Sequence, residues 1–199
     1  NSLKKLLALA PGPDIIFVLT QSALYGMRAG VATTLGLISG LCFHTTIVAV
    51  GVAGLLMASP LAFGLLTLVG AAYLLYLAWL SFRAGASMAH LQESRFLGYG
   101  ALYRRGVFMN ITNPKVTLFF LAFLPQFCVP QRGSVALQVM ELGLLFMLAA
   151  FLVFTAVSAL GGRLALWFNS SPRGQMLMHR VAGLVFVVLA VMLVVSWLA

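Results

Sequence analysis

A chain of 199 residues with 62% hydrophobic and only 8% charged side chains is not an ordinary soluble domain, in which about a quarter of residues are charged. Its net charge of +9 does not indicate nucleic acid, because the basic residues sit in short segments between apolar runs, where they act as topology signals. Between Ala29 and Phe82 there is no Asp, Glu, Lys or Arg, a length that holds two membrane helices of about 20 residues each.

The chain therefore reads as an all-α, polytopic membrane protein forming one transmembrane domain over 1–199, with six apolar segments at 3–25, 31–56, 60–83, 106–127, 134–160 and 179–198. The first contains "LALAPGPDIIFVL", in which Pro11, Gly12 and Pro13 interrupt an apolar run just before Asp14. Asp14, Val18, Gln21 and Tyr25 follow helical spacing, so both polar side chains share a face. "GMRAG" reads as the connection to the second segment, where Gly36, Gly40, His44 and Gly51 form a stripe that includes "GLISG". Small residues on such a stripe let helices approach closely in lipid. His44 lies on the stripe, as a structural hydrogen-bonding group or as part of a proton pathway.

The fourth segment contains "NITNPKVTLFFLAFLPQF", where Pro114 is preceded by Asn110 and Asn113 and followed by Lys115. The two asparagines suit either capping of freed backbone groups or direct contact with a substrate. Gln126 reads as an interface residue. In the fifth segment Glu141 lies within reach of a pairing with Arg132. Cys42 and Cys128 have neither metal nor disulfide spacing and read as free thiols.

Segments one and four are thus both broken by proline, and three spans separate the breaks. This pattern predicts two inverted three-helix repeats, about 1–83 and about 106–199. A shift of 101 residues overlays Pro13 on Pro114 and Asp14 on Lys115. Paired, interrupted segments in inverted halves point to a transporter's binding site near the bilayer midplane. Half-helices starting there aim backbone N–H groups at an anionic group, while Asp14 offers a site for an ammonium or a proton. An isolated charge in lipid costs roughly 2.5–3.5 kcal/mol on insertion scales, so neither Asp14 nor Lys115 should face the bilayer. Either the two pair with each other, or each takes one end of a zwitterion.

If the first segment spans fully, loops one, three and five carry eight arginines against three basic residues on the other side, which orients those loops to the cytoplasm. No zinc-binding His pair, phosphate loop or nucleophile elbow is present, so an enzyme is not expected. Rival readings are a cation or metal exporter and a non-transporting scaffold subunit. The sequence implies no cofactor.

"PGPD", the Gly26-Arg28-Gly30 turn and "GVFMNITNPKVTLFFLAFLPQF" resemble the LysE/RhtB family of amino-acid exporters, and "GLISGLCFHTTIVAVGVAGLL" and "GAAYLLYLAWLSFRAG" resemble its RhtB branch. The resemblance implies a multi-pass protein of the bacterial inner membrane that exports small neutral amino acids or derivatives, homoserine- or threonine-like, in exchange for protons. It carries functional positions onto Pro11, Gly12, Pro13, Asp14, Asn113, Pro114 and Lys115. A homodimer is a further expectation, since six helices are few to enclose a path.

Overall fold

Prolines set where the helices begin. The structure, a computed structural model, describes residues 13–84, 96–161, 163 and 170–198. Among them are seven α-helices: α1 Pro13–Tyr25, α2 Met27–Ala58, α3 Pro60–Arg83, α4 Tyr99–Ile111, α5 Pro114–Phe123, α6 Val135–Ala159 and α7 Pro172–Leu198. Four start at a proline, which lacks the N–H that a first helical turn leaves unused. A polar cap precedes three of these. Ser59 Oγ accepts from Ala62 N at 3.2 Å, Asn113 Oδ1 from Lys115 N at 3.1 Å and Ser171 Oγ from Gly174 N at 3.1 Å. The described residues contain no strand.

Four helices are long and apolar enough to cross a membrane, and a fifth candidate is α4 with α5 and the 3₁₀ turn Leu124–Phe127, bent by 55° at the break. α1 is a shorter apolar helix; the part of the first segment before Pro13 lies outside the described residues. Several helices outrun the expected segments. α2 begins at Met27 rather than 31, α4 at Tyr99 rather than 106 and α7 at Pro172 rather than 179. Hydropathy marks the apolar length, whereas a helix continues until something breaks it. Arg104, Arg105, Arg173 and Arg180 accordingly sit exposed on helical turns. Only Gly26, at φ +82°, separates α1 from α2, so "GMRAG" is mostly helix rather than a connection.

α2 packs along α4 and α6, and α3 packs along α7. The α2–α4 approach depends on glycine: a Cβ on Gly36 would lie 2.1 Å from the Tyr103 carbonyl oxygen, and one on Gly106 2.6 Å from that of Thr33. Gly40 and His44 continue this face toward the end of α4, but Gly51 has open space around it and does not belong to the packing stripe. α5 joins the two groups of helices. Its Phe120 enters a core with Leu41, Val48, Val139 and Met147, and its Ala122 enters another with Ala71, Leu74, Ala190 and Leu193. The outward faces are apolar, with Val50, Leu61 and Phe108 more than two-thirds exposed, as suits contact with lipid chains.

Candidate functional site

The break between α4 and α5 leaves backbone groups that neighbouring helices satisfy. In an unbroken helix residue 114 would donate its N–H to the Asn110 carbonyl, and proline has none to give. That carbonyl instead accepts from Asn113 N at 3.0 Å and from Nε2 of His44, on α2, at 3.0 Å. A carbonyl only accepts, so His44 carries its proton on Nε2 in this arrangement. The ring is buried and packs against Phe120.

Asn113 has two tasks. Its Oδ1 caps α5 through Lys115 N, which turns its amide nitrogen toward Asp14 Oδ1 at 3.3 Å. Asn110 donates from Nδ2 to the other carboxylate oxygen, Oδ2, at 3.1 Å. Asp14, in the first turn of α1, is 8% exposed and so is held by both sides of the break in the other half of the chain. A carboxylate at a helix N-terminus also gains from the positive end of the helix dipole. The remaining amide oxygen, Asn110 Oδ1, is buried with no hydrogen-bond partner among the described residues, sealed against Gly40.

Lys115 does not complete an ion pair with Asp14 among the described residues. Its Nζ lies 4.3 Å from the ring centroid of Phe186 on α7, a cation–π contact. Asp14 and Lys115 instead line one cavity of about 370 Å³, to which all seven helices contribute. Its polar lining is Asp14, Asn110, Asn113 and Lys115; the rest is aliphatic or aromatic, including Leu74, Phe119, Phe146, Phe154 and Phe186. Asp14 is the only aspartate in the sequence and the only acidic residue in the described lining.

The expected site residues are therefore distributed as follows. Asp14, Asn110, Asn113 and Lys115 come together at the cavity. Pro114 creates the break but has an exposed ring, and Pro13 begins α1. Pro11 and Gly12 lie outside the described residues. Gln21 is buried on α1 but is not among the residues lining the cavity, and His44 stands behind its wall, bonded to Asn110 and packed on Phe120. Gln126 donates to Thr67 Oγ1 at 2.7 Å, a contact between α3 and the turn after α5. Glu141 and Arg132 are both exposed, and no ion pair joins them among the described residues. Sequence reasoning missed the aromatic wall: "LFFLAF" after Lys115 signals part of it, but nothing in the sequence links Phe146, Phe154 and Phe186 to it.

Comparison with known proteins decides the family. The LysE type translocator family matches residues 6–196. The chain belongs to this family. It is similar to the homoserine/homoserine lactone efflux protein of Salmonella typhimurium, 34% identical over 188 residues that cover 94% of this chain and 90% of the relative. An uncharacterized membrane protein of Vibrio cholerae is 32% identical over 179 residues, covering 90% and 86%. Another, of Bacillus subtilis, is 28% identical over 191 residues, covering 92% and 90%. No solved structure matches. This LysE-family chain is thus a transporter rather than an enzyme, a multi-pass protein of the bacterial inner membrane.

Proposed function

We propose that this translocator exports neutral, zwitterionic amino acids or close derivatives, homoserine and threonine among them, in exchange for protons. One observation carries the reading: the ammonium of Lys115, which makes no ion pair among the described residues, and the carboxylate of Asp14 line a single cavity where the broken helices meet. Lys115 takes the substrate carboxylate, with the positive end of the α5 dipole behind it. Asp14 takes the ammonium, its two oxygens already oriented by Asn110 and Asn113. When the ammonium leaves, a proton on Asp14 replaces its charge, so the buried site never holds an uncompensated carboxylate. The similarity to the homoserine/homoserine lactone efflux protein of Salmonella typhimurium supports the substrate class.

The architecture that serves this function is a single domain over 1–199, six spans in two inverted repeats, with loops one, three and five cytoplasmic and a homodimer as the assembly. The start of α1 at Pro13 and of α5 at Pro114 supports the pairing of the repeats. A metal exporter would need several ligands gathered together, and a scaffold would need no charged cavity.

Flux through purified protein in liposomes tests the proposal. Losing one partner of a buried charge pair costs roughly 2–5 kcal/mol, about 30-fold or more in affinity. Asp14→Asn and Lys115→Gln should therefore each lose at least that much transport at low substrate. Near-normal flux in both variants would remove the site assignment. Collapsing an imposed pH gradient should halt uphill export by the wild type; unchanged accumulation would rule out proton exchange.

A further inference from the structure

The cavity also bears on which side chain the substrate carries, an inference that rests on the exporter reading above. Its polar groups, Asp14, Asn110, Asn113 and Lys115, are few and largely committed. Both side-chain nitrogens of Asn110 and Asn113 serve Asp14, Asn113 Oδ1 caps α5, and Asn110 Oδ1 is sealed against Gly40. What remains for a zwitterion is the carboxylate of Asp14 and the ammonium of Lys115. Beyond them the described lining offers no hydroxyl or amide, only carbon. Phe186 lies against the Lys115 ammonium, and Leu77, Phe119, Phe146, Phe154 and Leu189 belong to the same lining. The wall is also packed in place: the Phe146 ring meets Phe119 at 5.6 Å and Phe120 at 5.2 Å between centroids.

The volume of about 370 Å³ lies at the low end of the roughly 300–1,000 Å³ of small-molecule sites, enough for one amino acid with a large side chain and too little for a peptide chain of several residues. A hydroxyl entering this wall would give up water without finding a partner, which is unfavourable. A methylene placed there is worth roughly 10–200-fold in discrimination. From the carbon lining behind one acid and one base, we infer that the preferred substrate carries a large apolar side chain, branched aliphatic or aromatic, and that homoserine and threonine rank below it.

Competition in proteoliposomes holding the full-length wild-type chain tests this, with labelled leucine in counterflow against unlabelled leucine, phenylalanine, homoserine or threonine. Leucine or phenylalanine should compete at concentrations at least about tenfold lower than homoserine or threonine. Homoserine or threonine competing as well as leucine would overturn the inference and leave the exporter reading intact. Labelled homoserine moving while labelled leucine does not would overturn it in the same way. Transport of none of the four would overturn both. Phe154→Ser, which puts a hydroxyl in the wall, should narrow the leucine-to-homoserine ratio several-fold; an unchanged ratio counts against Phe154 as part of the side-chain pocket. A ratio measured within one vesicle preparation does not depend on how much of the variant folds.

Discussion

Two interruptions of the apolar helices, at Gly26 and at Asn113-Pro114, resolve their lost hydrogen bonds in opposite ways. At Gly26 the repair is local. Its N–H bonds to the Ser22 carbonyl at 2.9 Å, its own carbonyl accepts from Ala29 at 3.0 Å, and glycine tolerates the positive φ. At Asn113-Pro114 the repair is long-range: His44 from α2 takes up the Asn110 carbonyl, and Asp14 from α1 receives both asparagine amides. A turn that heals itself joins two helices. A break whose polar groups are completed from distant segments fixes a carboxylate and an ammonium at one cavity.

Substitutions at the two places should separate these roles, and they rank by their effect on stability, read as the thermal midpoint in detergent. Asn113→Ala removes the cap of α5, about 1 kcal/mol, and a hydrogen bond to a charged group, about 1.5–3 kcal/mol, so it should lower the midpoint most and reduce transport as well. A variant of wild-type stability would show that Asn113 does not hold the break together. His44→Leu leaves the Asn110 carbonyl with its local bond only, at a cost of roughly 1–3 kcal/mol, and His44→Gln should recover part of it. Equal loss in both would assign His44 to packing alone. Gly26→Ala forces a side chain into the left-handed region, costing about 1–2 kcal/mol, while flux per folded molecule should stay at the wild-type level. A selective loss of flux there would tie the local turn to the transport cycle.

The smallest change in stability is expected from Pro114→Ala, which restores an N–H opposite the Asn110 carbonyl. Its midpoint should be unchanged or raised while transport falls, because straightening the helix withdraws the α5 N-terminus from the cavity. A straight helix with intact transport would show that the break is dispensable. In that case the charged residues alone would define the site.

Much of this was legible in the chain. Serine or asparagine before proline marks two helix starts, at Pro60 and Pro114, because a polar cap and a missing N–H both suit a first turn. The charge-free apolar runs disclosed a membrane protein, and proline beside the only aspartate and beside a lysine in an apolar run pointed to two residues that line the cavity. Helix ends were less legible, since hydropathy does not report a helix that continues beyond its most apolar stretch, as α4 and α7 do. Spacing also overextended the glycine stripe to Gly51, because periodicity names a helix face without saying how far the neighbour reaches along it.

What the sequence determined by itself is therefore local and compositional: which stretches are apolar, where a helix must stop and start, and which charges lie deep. Only the tertiary structure decided the partners. Whether Asp14 pairs with Lys115 or with two asparagines depends on where α1 lies against the break, and the carbon wall is assembled from α3, α5, α6 and α7. Those contacts join residues roughly half the chain apart, and hydrophobic packing has no directional code in sequence to announce them.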